Sequence, residues 1–357
     1  MSTMKILLLY RDSCDREITS SVVSGGGEQF CKLIDKNFDV EVYQGLSKAE
    51  QSWSTREKSH IQKSIVKKAE EMEADIIVSN FPSSIYNGKH IIGCKIPVMI
   101  VMHNRFKMMS IFSRLNKAVE KGHSVFLVSE HQKEYYQEAS DRQHEKWPDD
   151  DSNLMCDVAG YIRPSYCIGE KPKIKDKFNY ECGTIGRCDN QKKPFLLKEL
   201  TSNDNLVMTS MAQEDGKNGY YNRMKRKYKG DKNVSWSDTH DNLMKKLSTC
   251  KTYFSSWSEE TFGICTLEAL SHGIPVILNS DADGQHASTI ITDNSNHYRL
   301  IKNNDKDELL EAIKSFDDVD RQQIQDEIWE KHSKEKWINH MKDAFEKTID
   351  TFNKKNH

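Results

Sequence analysis

At 357 residues the chain is too long for one ordinary hydrophobic core and suits two domains of about 150 residues each. Apolar residues make up 36% and charged residues 30%, which excludes disordered and collagenous classes and leaves a globular protein with a heavily charged surface. Fifty-two basic residues against fifty-four acidic ones give a formal charge of -2, so any nucleic-acid or membrane partner is left to a local patch.

The first apolar run, Met4 to Tyr10, lacks the long apolar stretch and small-residue cleavage site of a leader and reads as a buried strand. No run reaches the roughly 18 apolar residues of a membrane span, and the expected location is the cytoplasm. Nine scattered cysteines, an odd number, argue for reduced thiols; Cys182 and Cys188 come nearest to a pair but lack the companions of a zinc site. After the first strand comes Ser24-Gly25-Gly26-Gly27-Glu28, then a predicted helix over 28–36, a strand over 40–43 and a charged helix over 56–73. Ile76 to Val78, Val98 to Met102 and Val125 to Val128 are continuous apolar runs, the mark of parallel strands buried on both faces. Alternating strands and helices predict a doubly wound α/β domain.

The crowded charges of Asp141 to Asn153, with Pro148 and Asp149-Asp150-Asp151, predict a surface loop. Gly169 to Asn179 reads as the linker between lobes. The alternation then restarts, with strands at Gly183 to Gly186, Leu206 to Thr209 and Thr252 to Phe254, and helices over 193–200, 220–229 and 239–247. Beyond Asp305 the chain reads as helical, carrying Trp329 and Trp337 among charged residues.

The segment FSSWSEETFGICTLEALSHGIPVI, residues 254–277, is the most informative. Ile264, Leu267 and Leu270 share one helical face, Gly273 stands where a left-handed cap is wanted, and Pro275 blocks continuation. A short helix from about Gly263 to His272 should therefore start at the carboxyl edge of a parallel sheet, where free N–H groups attract phosphate. Glu260 precedes it and Glu268 lies in its second turn; periodicity alone also allows Glu260 to be a helix-start carboxylate and Glu268 an exposed helical residue.

In register this segment resembles the E-x7-E region of retaining GT-B glycosyltransferases of the family 4 group, matching at Glu260, Phe262, Gly263, Glu268, Ala269, Gly273, Pro275 and Val276. Thr261 departs from the usual glycine. The resemblance implies that Glu260 approaches the donor sugar, that amides of Phe262, Gly263 and Ile264 hold the diphosphate, and that Glu268 binds the ribose. The family's G-R pair followed five residues later by a lysine matches Gly186, Arg187 and Lys192, with Lys193 the neighbouring alternative; both cations would meet the charge of the departing diphosphate. The glycine turn, with Gly25 and Gly26, resembles the one that faces donor phosphates, and His103-Asn104 follows a strand where relatives place a histidine beside the donor sugar.

The resemblance implies a GT-B fold: two Rossmann-like α/β domains facing a cleft, an acceptor domain over 1–168 and a donor domain over 169–330, with a C-terminal helix over 331–357 crossing back to the first. The implied reaction transfers a sugar from a nucleotide-diphosphate sugar, here a UDP-sugar, with retention and no cofactor or metal; Asp281-Ala282-Asp283 reads as a loop rather than a metal motif. For the acceptor, basic residues Arg105, Lys107, Arg114, Lys117 and Lys121 stand among Phe106, Met108, Met109, Ile111 and Phe112, and a second basic run spans Arg223 to Lys229. Double-stranded phage DNA bearing hydroxymethylated pyrimidines and a cell-surface glycan or lipid-linked sugar stay open, with the balance toward DNA. An inactive sugar-nucleotide-binding module is the non-enzyme alternative. No Tyr-x-x-x-Lys follows an N-terminal G-x-x-G-x-x-G, which disfavours a sugar-nucleotide epimerase.

Overall fold

The computed structural model describes residues 4–10, 17–18, 26–44, 54–80, 88–103, 110–149, 154–201, 205–210, 219–236, 239–281 and 283–356. The chain divides into two compact units, Met1–Ser165 with Glu335–His357, and Tyr166–Lys334.

The first unit runs β1 (Ile6–Leu9), α1 (Gly26–Asn37), β2 (Val40–Tyr43), α2 (Thr55–Glu71), β3 (Ile76–Ser79), α3 (Lys89–Ile92), β4 (Val98–Met102), α4 (Ser110–Glu120), β5 (Ser124–Leu127), α5 (Glu130–Lys146) and β6 (Gly160–Tyr161). Its strands form one parallel sheet in the order β2-β1-β3-β4-β5-β6. β1, β3, β4 and β5 are buried along their whole lengths, as their unbroken apolar runs require when helices cover both faces. Strand order reverses between β1 and β3, which makes the carboxyl ends of those two strands the switch point of the sheet.

One expectation fails in this unit. Asp141 to Lys146 is not loop but the last part of α5, which is capped by the Ser129 side chain on the Gln132 amide. Charge there supports the helix, because Gln137 bonds Asp141 at 2.8 Å and Arg142 faces Glu138, each one turn apart. Buried Ser140 also receives the Met155 amide at 2.7 Å, tying the helix to the chain that follows. The mixed basic and apolar stretch likewise resolves in part: Ile111, Phe112 and Leu115 of α4 are core residues. Arg105, Phe106, Lys107, Met108 and Met109 lie outside the described residues.

The second unit runs β7 (Tyr180–Arg187), α6 (Leu196–Leu200), β8 (Asn205–Ser210), α7 (Gly219–Lys227), β9 (Val234–Ser235), α8 (His240–Leu247), β10 (Cys250–Ser255), α9 (Ile264–Ser271), β11 (Val276–Ser280), two 3-10 turns (Ala287–Ile291 and Ser295–His297), β12 (Tyr298–Lys302), α10 (Lys306–Lys314) and α11 (Arg321–Lys331). Its parallel sheet has the order β12-β11-β10-β7-β8-β9, the doubly wound dinucleotide-fold arrangement with its reversal between β7 and β10. Phe254, Ile277, Ile301, Leu309 and Phe316 build the core on one side of this sheet.

The last helix, α12 (Lys334–Asn356), belongs almost entirely to the first unit. Trp337 and Phe345, the residues the family resemblance offers as the buried contacts of this helix, are both buried; the Trp337 indole N–H donates to the Arg163 carbonyl at 2.9 Å and its ring meets Phe30 and Phe38. Phe345 packs edge-on against Phe38, and Phe352 stacks on His123 at 5.3 Å. Among the described residues no helix is long and apolar enough to cross a membrane.

Candidate functional site

The second unit gathers its chemistry at the carboxyl ends of β7 and β10. β7 ends at Arg187, and the chain then turns on Asp189, whose Oδ1 accepts the amides of Gln191 and Lys192 at 3.0 and 2.8 Å. Asp189 also faces Arg187 Nε at 3.4 Å, and Gln191 Oε1 accepts from the guanidinium at 3.2 Å, so the exposed fork is steered from two sides. The turn closes with Lys193 in the left-handed region, φ 38°. Ser256, just past β10, donates its hydroxyl to the Lys192 carbonyl at 2.6 Å and ties the two strand ends together.

Lys192 points inward and pairs with Glu260 through Nζ and Oε1, and the same ammonium lies 4.0 Å from the centroid of the Trp257 ring. The side chains are only 21% and 16% exposed, so this is a partly dehydrated cation held by a carboxylate and an aromatic face. Lys193 does not share that contact. Glu260 does not occupy the cap position of α9, which is taken by Gly263.

Gly263 has φ 91° and ψ 71°, a conformation open to glycine, and a Cβ there would also overlap the Ser288 hydroxyl. The amides of Thr266 and Leu267 return to the Gly263 carbonyl at 3.0 and 3.1 Å. By helix geometry the Ile264 and Cys265 amides ahead of them are left without intrahelical acceptors and carry the positive end of the helix dipole. Phe262 is buried and meets the His332 ring edge-on at 6.3 Å, which fixes the approach to the helix. Eight residues later the helix stops as its sequence predicts. Gly273 has φ 69°, its amide bonds Leu270 and the Ile274 amide bonds Ala269, the two hydrogen bonds of a Schellman cap.

Glu268 is not an exposed helical residue either. Its Oε1 meets His240 Nε2 at 2.7 Å, with side-chain exposures of 17% for the acid and 34% for the imidazole. The hydrogen bond to Glu268 raises the His240 proton affinity above its usual range, against the opposing effect of burial. Burial, followed by the Glu268 charge, pushes the Cys265 thiol well above its ordinary range and keeps it protonated. His240 and Trp257 are the members that sequence reasoning missed.

Asp281 folds onto its own loop, its Oδ1 accepting the amides of Asp283 and Gln285 at 3.1 and 2.9 Å. Ala282 lies outside the described residues.

The first unit presents a different set at its own sheet edge. Gly25 lies outside the described residues, and Gly26 opens α1. The next residue, Gly27, gives its carbonyl to Asn80 Nδ2 at 2.8 Å; a Cβ on it would stand 3.3 Å from that amide and 3.5 Å from the His103 ring. His103 follows β4, is 6% exposed, and packs 4.9 Å from the Phe30 ring. Burial pulls its proton affinity down to about 3, so it is a neutral imidazole at neutral pH.

With this geometry in place, comparison with known proteins gives the class. Residues 171–335 match the model of Glycosyl transferases group 1. No curated protein matches the chain. Among solved structures, HepE from Anabaena, crystallised with UDP and glucose, is 13% identical with a TM-score of 0.67, covering 96% of this chain and 99% of its own. A glycosyltransferase from Rickettsia africae is 13% identical with a TM-score of 0.65 and coverage of 98% and 99%. Sucrose-phosphate synthase from Thermosynechococcus elongatus is 12% identical, again at 0.65, covering 96% and 99%. The architecture is thus the GT-B fold of two Rossmann-like α/β domains. Residues 171–335, nearly all of the second unit, match the group 1 glycosyltransferase model, and this match together with the fold supports a glycosyltransferase.

Proposed function

We propose that the enzyme transfers a sugar from a nucleotide-diphosphate sugar, a UDP-sugar, to an acceptor hydroxyl with retention at the anomeric carbon. The observation that carries this reading is the Lys192–Glu260 pair beside the start of α9, where cation, carboxylate and first-turn amides share one strand edge. HepE, similar in fold, has been solved with UDP-glucose as well as with UDP and glucose, which favours a uridine donor.

In this reading Arg187 and Lys192 hold the diphosphate together with the amides of Phe262, Gly263 and Ile264. Glu260 accepts from the sugar hydroxyls and Glu268 from the ribose. The acceptor oxygen forms its bond to the anomeric carbon as the bond to the diphosphate oxygen breaks on the same face, and the acceptor proton passes to that departing oxygen. Negative charge grows on the diphosphate, so fixed cations and amides stabilise the transition state more than the ground state. No metal or cofactor enters this scheme. Gly25, Gly26 and His103 rest on the family resemblance alone as the first unit's contribution.

For the acceptor we propose hydroxymethylated pyrimidine in phage DNA, supported by the exposed Arg223, Lys225, Arg226 and Lys229 in and just beyond α7. The enzyme would then act in the host cytoplasm. Screening UDP-glucose and other nucleotide sugars against modified duplex DNA and simple glycans tests both halves. Transfer abolished by Arg187→Ala supports the donor reading, and activity on DNA falling steeply with salt supports the acceptor. Salt-insensitive transfer to a free oligosaccharide would sink the DNA acceptor. Tight binding of nucleotide sugar without hydrolysis or transfer to any acceptor would favour the inactive module.

A further inference from the structure

The donor scheme leaves His240 without a part, although its ring touches one of the scheme's carboxylates. His240 is the first residue of α8, and the Thr239 hydroxyl caps that helix by accepting the Asn242 amide. Leu243 and Leu247 bury the helix against the sheet, so the backbone that carries the imidazole is anchored. From there Nε2 reaches Glu268 Oε1 at 2.7 Å, across 28 residues of sequence. One carboxylate oxygen meets the imidazole and the Cys265 thiol also bonds the side chain, and the four lone-pair sites of a carboxylate leave acceptor capacity for a ligand.

We propose that His240 is a positioning residue for the donor nucleoside: by holding Glu268 Oε1 it aims the other oxygen at the ribose hydroxyls, and donor binding weakens when the imidazole loses its proton. The inference rests on Glu268 being the ribose residue. A protonated imidazole makes a charge-assisted bond, about twice as strong as the neutral one that replaces it at higher pH. It also adds a positive charge on the side where an anionic donor arrives.

The charged and titratable groups around the ring favour this behaviour. Glu268 faces it from α9 and Asp241 from its own helix, and both raise its proton affinity. His272, also from α9, bonds the Glu268 carbonyl through Nδ1 at 2.8 Å, and burial pushes its proton affinity down. Neutral His272 brings no competing charge at neutral pH. Lys175 stands near His272 and acts in the same downward direction on that ring.

The test is binding of UDP-glucose to the full chain by calorimetry between about pH 6 and about pH 8.5, the range across which a raised histidine titrates. The diphosphate diester of this probe does not titrate there. The wild type should weaken by about 3–10-fold as the pH rises, the change expected when donor binding shifts a proton affinity by up to about one unit. In turnover the same step should appear in KM, with kcat level. His240→Gln keeps an N–H donor without a titrating proton, so its affinity should stay within about 3-fold of the wild type at low pH and show no step. His240→Ala should bind weakly and evenly at all pH values. A wild-type affinity that is flat with pH, or a His240→Gln variant that keeps the wild-type step, overturns the assignment and leaves the donor site standing. Loss of donor affinity in Glu268→Gln with both His240 variants at wild-type strength has the same meaning. A wild type that binds no nucleotide sugar at any pH overturns the ribose reading, and the role of His240 with it.

Discussion

Both units end parallel strands against the start of a helix, yet the two edges are built from different materials. In the first unit the described part of the edge is closely packed: Gly27 presses on Asn80, and His103 is a buried neutral ring beside Phe30. In the second unit the edge is ionic, with Lys192 held by Glu260 and His240 by Glu268. One architecture therefore supports two kinds of precision. Dense packing fixes the first set, and mutual charge compensation holds the second in place.

That contrast can be broken by substitution, with the largest effect expected at Lys192. Lys192→Ala should lower kcat by about 10²–10³-fold, the usual loss when one stabilising charge or donor is removed from a developing anion. Its unfolding midpoint in denaturant should fall by less than the loss in rate implies, the part that does fall coming from Glu260 left without its cation. Collapse of stability in place of rate would mean that the ionic edge is structural. Gly263→Ala comes next, because it combines about 1–2 kcal/mol of left-handed backbone strain with the overlap on Ser288. Denaturation should show the lost stability, and UDP-glucose binding should weaken with it, whereas an unchanged midpoint would contradict the αL turn.

The packed edge makes its own prediction in acid. His103 binds its proton near the ordinary 6.5 when unfolded and only near about 3 when folded, so stability falls as the pH drops through that window. About 1 kcal/mol should be gone by roughly pH 5.5, and His103→Phe should flatten this part of a stability–pH curve. An acid limb identical in the two proteins would remove His103 as its source. The smallest effect is expected at the cap of α8, where Thr239→Ala should cost about 0.5–1 kcal/mol of stability while raising the KM for donor. A shift in stability with no change in KM would separate the cap from the donor site.

The sequence made the strands legible because parallel strands covered on both faces leave unbroken apolar runs such as Val98 to Met102. It also made α9 legible at both ends, since Gly263 and Gly273 occupy positions where the backbone turns left-handed. The end of α5 was misread because repeated charge without an apolar period resembles loop, while its support comes from pairs one turn apart and from Ser140 beneath. His240 and Trp257 escaped notice for another reason. Each acquires its meaning from a residue on a different element, Glu268 in one case and Lys192 in the other, and no local spacing announces such a meeting. The glycine turn was noticed, but Gly27 gains its significance only from the side chains of Asn80 and His103 that crowd it.

The Schellman stop at Gly273 makes α9 a gauge of fixed length. Between Ile264, in the first turn, and Glu268 the helix advances by about 6 Å and just over one full rotation. Neither end can slide, since Gly263 locks the entrance and the Leu270 and Ala269 carbonyls lock the exit. One residue inserted between those marks would swing the carboxylate by about 100° and carry it away from His240. The distance from the Ile264 amide to the Glu268 carboxylate is thus set by the pitch of a helix too short to bend.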